Sequence, residues 1–285
     1  MLHFRGKVLP DESLVMAIVN RTPDSFFDRG RTFDLSAALA RVEQVVEEGA
    51  HLVDIGGVKA APGAEIGADE EIGRVLDLVE AVRERFPDLV ISVDTYRPEV
   101  ADAVCRAGAD LVNDAWQAPY ELTAEVAARY GAGLVCTHAG GLPPRTRPHR
   151  VEYDDVVADV IDVTTRLAER AVAVGVDRNS VLVDPGHDFG KSSRHSLELT
   201  RRADALVATG WPVLFALSRK DFVGEVLDLP PDDRLEGTLA TTALSAAAGV
   251  RMFRVHDVAA TVRVLRTVEA VLGRRDLALG RRGLA

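Results

Sequence analysis

Polar side chains recur at the ends of short apolar runs along this sequence. Asn20 follows LVMAIV (14–19), Asp54 lies within LVDI (52–55), and Asp94 closes the run that starts as LVISV (89–93). Asn113-Asp114 follow DLV (110–112), Thr137-His138 follow GLVC (133–136), and Asp184 follows VLV (181–183). Ser218-Arg219-Lys220 follow VLFAL (213–217), and Arg254 and His256 fall in and just after MFRV (252–255). One such residue is as well explained by a helix cap or a turn. Repeated at every run, the pattern points to a shared mouth. Asp54, Asp94, Asn113 and Asp184 offer acceptors and an amide, which suits a ring carrying several N–H donors. Lys220, Arg254 and His256 offer up to three cations, which suits phosphate or diphosphate.

The elements that must position these groups are legible from periodicity. The apolar runs read as strands buried on both faces. Between them, segments 36–49, 69–85, 98–107, 122–131, 152–174, 194–209, 233–248 and 258–272 carry apolar residues at helical spacing. Gly49, Gly108, Gly131, Gly175, Gly210 and Gly249 stand where helices should stop. Strict alternation of strand and helix implies right-handed crossovers and a parallel sheet. Eight such units predict a closed (β/α)₈ barrel in one domain spanning residues 1–285, with a core from about 14 to 272 and a peripheral tail from 273. The active groups of that barrel sit at the C-terminal strand ends. A doubly wound open sheet is the alternative, but no glycine-rich dinucleotide turn follows the first strand.

The chain carries 34 Lys+Arg against 44 Asp+Glu, a formal charge of −10. That balance argues against nucleic acid or an anionic membrane as the main partner. Cys105 and Cys136 are unpaired at any metal-ligand spacing and read as small buried apolar residues. No signal peptide and no membrane-length apolar run stands out, so the expected location is the cytoplasm. The segment GHDFGKS (186–192) has three residues between its glycines, where a phosphate-cradling P-loop needs four. The loop LPPRTRPHR (142–150) reads as a solvated face or a lid, and the arginines of the tail as a solvated face.

Taken in order, VNRTPDSFFDRG (19–30), DIGG…PG (54–63), SVDT (92–95), GADLVND (108–114), DPGHDFGK (184–191), SRKDF (218–222) and RVHDV (254–258) resemble dihydropteroate synthase. The likeness runs from about residue 14 to 272. It implies a barrel that is usually a homodimer. It also implies condensation of 6-hydroxymethyl-dihydropterin diphosphate with p-aminobenzoate, assisted by Mg²⁺. By position, Asp94, Asn113, Asp184 and Lys220 would form the pterin pocket. Asn20, Arg254 and His256 would face the diphosphate, with Mg²⁺ near Asn20 and Asp54 within reach of the same region. Asn20, Lys220, Arg254 and His256 would then be the catalytic set.

The resemblance breaks at the rim. The family's second loop typically reads Gly-Gly-Glu-Ser-Thr-Arg-Pro-Gly; here it reads Gly56-Gly57-Val58-Lys59-Ala60-Ala61-Pro62-Gly63. The first loop carries Arg21, Phe27 and Arg29 where Val, Ser and Gly are usual. Asp221 replaces the serine after Ser-Arg-Lys, Thr137 replaces Met, and His187-Asp188 replace Ile-Gly. Each lost charged hydrogen bond is worth about 1.5–3 kcal/mol. The expectation is therefore a divergent paralogue with an intact pterin-diphosphate site, a degraded p-aminobenzoate and diphosphate loop, and synthase activity that is weak or absent. The alternatives are an active synthase with a rebuilt loop, or a different transferase on the same pocket.

Overall fold

The computed structural model describes residues 1–22, 32–59, 63, 65–116, 120–141, 143–145 and 152–279. Phe27, Arg29, Ala60, Ala61, most of the 142–150 loop and the end of the tail lie outside the described residues.

A short hairpin, β1 (His3–Phe4) and β2 (Lys7–Val8), precedes the alternating part of the chain. The strands that follow are β3 (Leu14–Asn20), β4 (Leu52–Gly56), β5 (Val90–Asp94), β6 (Leu111–Asp114), β7 (Gly133–Thr137), β8 (Val181–Asp184), β9 (Leu214–Phe215) and β10 (Met252–Val255). They pair in parallel in the order β8-β7-β6-β5-β4-β3-β10-β9. A bridge between Val183 and Val213 joins the two edge strands and shuts the barrel.

The helices are α1 (Leu35–Glu47), α2 (Ala68–Arg85), α3 (Pro98–Ala107), α4 (Tyr120–Tyr130), α5 (Val156–Ala173), α6 (Ser193–Arg201), α7 (Ala203–Val207), α8 (Asp221–Leu227), α9 (Leu235–Ala247) and α10 (Val258–Val271). Asp34 caps α1 by accepting from the Ser36 and Ala37 amides, and Asp155 caps α5 in the same way. The expected stop glycines all adopt positive φ, from 63° at Gly131 to 114° at Gly108.

Three local features depart from the sequence reading. The hairpin was not expected, because two-residue strands carry no periodic signal. The expected helix 194–209 breaks at Arg202 into α6 and α7. α8 is an additional short helix between β9 and α9, and β9 itself is shorter than expected.

Alternation along the strands separates two cores. Outward residues such as Val15, Ala17, Val53, Ile55, Ile91, Val93, Val181, Phe215 and Phe253 pack beneath the helices. Leu14, Met16, Leu52, Val90, Leu111, Val135, Leu182, Leu214 and Met252 face the axis and fill its N-terminal end together with Leu2, Phe4 and Leu9. Phe4 closes that end against Gly133, where a Cβ would lie 2.3 Å from the Phe4 ring. Two residues further along six of the strands the axis-facing positions become Asp54, Ser92, Asn113, Thr137, Asp184 and Arg254, while β3 gives Ile18 and the β9 segment Ala216. The pleat thus gives an apolar floor and a polar ceiling in one barrel.

Candidate active site

Asp54 is fully buried at the centre of the ceiling. It accepts from Ser92 Oγ at 2.6 Å, Asn113 Nδ2 at 3.1 Å and Arg254 Nε at 2.6 Å. Arg254 also donates to Asp94 Oδ2 at 2.8 Å. The strand register puts Asp94 beside Asn113 and Gly56. A Cβ at Gly56 would lie 3.7 Å from Asn20 Oδ1 and from Asp94 Cβ, so Asn20 faces the same mouth. Burial pushes Asp94 up to about 7, against the pull of Arg254 and with help from Asp54. Burial alone would lower Arg254, but Asp54 and Asp94 hold it above its ordinary value.

Asp184 stands across the barrel, with Oδ1 accepting from the Gly186 amide at 2.8 Å. Burial raises its pKa, opposed by Lys220. Lys220 donates to the His187 carbonyl, and its Nζ lies 4.8 Å from the centre of the Phe189 ring. Trp116 meets Phe189 edge-on at 4.6 Å. These two rings form an aromatic wall that the strand-end survey passed over, because they sit in exit loops.

The SRK segment divides its labour. Ser218 Oγ lies 3.0 Å from His256 Nδ1 and accepts from the His256 amide at 3.2 Å. Arg219, at a φ of 57°, turns outward and makes a two-pronged contact with Asp257 at 2.7 and 2.9 Å. Only Lys220 is left on the ring side. Burial together with Arg254, Arg219 and Arg41 pushes His256 down to about 3. Without a ligand, this environment favours the neutral imidazole over a third cation. Ser218 Oγ and His256 Nδ1 share one hydrogen bond, whose direction follows the tautomer of the ring. His256 and Asn20 line a crevice of about 700 Å³ with Thr32 and Arg41.

Other strand-end groups are structural. Asp114 faces the helices and accepts from Thr123 Oγ1 at 2.8 Å. His138 is held between Lys191 at 2.7 Å and Asp159 at 2.7 Å. Lys191 also donates to the carbonyls of His138, Gly186 and Phe189, tying the β7 and β8 exits together. Ser92 was missed although strand alternation aims it inward beside Asp54.

At the rim, Arg21 is buried and anchored to α2. It donates to the Arg74 carbonyl at 2.7 Å and to both oxygens of Asp77 at 3.1 and 3.0 Å. Arg145 Nε donates to the Lys59 carbonyl at 3.1 Å, reaching the second loop from the far side of the mouth. Asp221 pairs with Arg234 at 3.0 Å.

The arrangement defines a barrel protein that gathers carboxylates, an amide and basic groups at one mouth, fit for a hydrogen-bonding ring and an anion. The sequence profile of the family described as "Pterin binding enzyme" matches residues 16–256. The chain belongs to that family, as a divergent homologue of dihydropteroate synthase. It is 58% identical over 282 residues to "Inactive dihydropteroate synthase 2" of Mycobacterium leprae, covering 98% of this chain and 97% of that one. It is 39% identical over 266 residues to the dihydropteroate synthase of Bacillus subtilis, covering 93% and 90%. The Yersinia pestis dihydropteroate synthase, solved with a sulfonamide drug complex, superposes with a TM-score of 0.89 at 36% identity, covering 95% of this chain and 99% of that one.

Proposed function

We propose that this protein binds a pterin, with or without its diphosphate, in the barrel mouth, and that its dihydropteroate synthase activity is weak or absent. The observation that carries the reading is the contrast within one site. The strand-borne lattice of Asp54, Ser92, Asn113, Arg254 and Asp94 is complete. The rim carries Lys59, Asp188 and Asp221 in place of the family's residues. Asp94, Asn113 and Asp184 would meet the donors and acceptors of the ring, and Lys220 would meet its acceptors above Phe189. Arg254, once a ligand competes for it, and His256 would face the diphosphate.

Among the described residues no group of three or more His, Cys, Asp or Glu could hold a metal ion. The residues fit Mg²⁺ in one manner. A hard cation bound mainly by phosphate oxygens needs few protein ligands, and the Asn20 side-chain oxygen at the mouth can supply one. Bound in that way, Mg²⁺ would neutralise charge on the departing diphosphate. The apolar residues Val226, Leu244 and Val271, each exposed on α8, α9 or α10, support a homodimer. Among the described residues no helix is long and apolar enough to cross a membrane. Together with the synthase homologues, this supports a cytoplasmic location.

Calorimetric titration with 6-hydroxymethyl-7,8-dihydropterin diphosphate, with and without Mg²⁺, tests the binding half. The expected result is tight binding that weakens without the ion. A coupled assay with p-aminobenzoate tests the other half, and turnover within tenfold of the B. subtilis enzyme would overturn it. The alternative, an active synthase with a rebuilt loop, is favoured by one contact. Arg145 brings a guanidinium to the second loop, where Lys59 adds a second cation.

A further inference from the structure

We infer that Asp188 is a specificity-determining residue, seconded by Asp221, and that the molecule admitted beside the pterin ring is a neutral or cationic amine rather than a carboxylate. The inference rests on the preceding reading, in which Lys220 borders the ring.

Asp188 is fixed from two elements. Its Oδ1 accepts from Ser196 Oγ of α6 at 3.0 Å, and its own amide donates to that oxygen at 3.1 Å. Its Oδ2 accepts from the backbone amide of Asp221 at 2.9 Å. The backbone holds it at a φ of 66°, a conformation that glycine adopts freely and asparagine and aspartate more readily than other side chains. An aspartate kept there, in a half-buried position, has its charge aimed and immobilised.

The charge has a partner in reach. Burial lowers the pKa of Lys220, and Asp188 is the foremost of the charges that oppose this, followed by Asp184. Burial raises the pKa of Asp188 in turn, with Lys220 opposing. A carboxylate arriving at this corner would find the Asp221 amide already donating to Asp188 and the Lys220 ammonium already donating to the His187 carbonyl, beside the charges of Asp188 and Asp184. It would also meet the Asp221 side chain, which is 82% exposed and held by Arg234 on its far side. Repulsion between like charges at a few ångströms in a partly dry mouth is strong. A cation or a neutral amine meets the opposite field, and the Phe189 and Trp116 rings give it an aromatic surface.

The test compares three ligands by calorimetry on the full chain. They are pteroic acid, its carboxamide, and the analogue with an aminomethyl group in place of the carboxylate. Each affinity is divided by the same protein's affinity for 6-hydroxymethylpterin. Wild type should bind the acid at least tenfold more weakly than the carboxamide, and the aminomethyl analogue at least as tightly as the carboxamide. In Asp188→Asn and in Asp188→Gly with Asp221→Ser, the acid-to-amide gap should shrink below threefold. Both replacements at 188 suit the local backbone, so a folded protein is expected. Equal binding of acid and amide by wild type, or an unchanged gap in both variants, would overturn the inference while leaving the pterin reading intact. Failure of wild type to bind 6-hydroxymethylpterin would remove that reading and this inference with it.

Discussion

The arc from β4 to β6, closed by β10, and the arc at the β8 and β9 exits face each other across the mouth and differ in where their side chains are rooted. On the first arc every group springs from a strand. Asp54, Ser92, Asn113, Asp94 and Arg254 are joined by hydrogen bonds of 2.6–3.1 Å. On the second, Asp188, Phe189, Lys220 and Asp221 spring from loops and a short helix. The strand-borne residues of the first arc fall in the motifs that resemble the family, while Arg21 and Lys59 in its exit loops, like Asp188 and Asp221 on the second arc, depart from the family pattern. A strand-borne carboxylate cannot change without stranding buried partners, whereas a loop can be rewritten at little cost to the fold.

The sharpest way to break the comparison is Asp54→Ala. Removing the shared acceptor of Ser92, Asn113 and Arg254 should cost about 3–5 kcal/mol, as when one partner of a buried ion pair is lost. Urea unfolding would measure it, and a loss under about 1 kcal/mol would show that the lattice is not a structural unit. Next comes the rim. Lys59→Ser with Ala60→Thr and Ala61→Arg should raise synthase turnover at least tenfold in the coupled assay, since one charged hydrogen bond is worth about 1.5–3 kcal/mol. No gain would move the blame to Asp188, Asp221 or the first loop.

Arg21→Ala should lower stability by about 2 kcal/mol, the worth of a buried charged hydrogen bond. Thermal unfolding would read it, and a negligible shift would mean that Arg21 does not fasten the base of the first loop to α2. The smallest effect is a matter of slope. Asp94 has an ordinary pKa of 3.8 and is raised to about 7 in the fold. The folded protein therefore holds its proton more tightly than the unfolded chain. The stabilisation is complete below pH 3.8 and is lost as pH rises through about 7. Asp94→Asn should flatten the fall in melting temperature across that window, and a parallel profile would refute the assignment.

Much of this was legible in the sequence because the barrel repeats one rule. Short apolar runs, each with a polar residue at or near its end, place Asn20, Asp54, Asp94, Asn113, Asp184, Lys220 and Arg254 on one mouth. The same rule applied residue by residue would have found Ser92, two positions before Asp94 and therefore on the same face. It would also have turned Asp114 away from the site, since neighbours on a strand point to opposite faces. Pairing was beyond it. That Arg254 is shared by Asp54 and Asp94 depends on register across four strands. That the His256 pKa is pushed down depends on burial beside Arg254. The Asp188 contact joins residues 33 positions apart through a left-handed turn that no periodicity announces.

The seam of the barrel has a consequence of its own. β9 meets β10 at two residue pairs, and among the described residues it meets β8 at a single bridge, Val183 with Val213. Asp184 and Lys220 stand on either side of that join. A molecule lodged against both would act as a rivet across the loosest stave. The amide of Val183, bonded to the Pro212 carbonyl at 2.9 Å, would then exchange deuterium more slowly, so the wall itself becomes a reporter of whatever the mouth has caught.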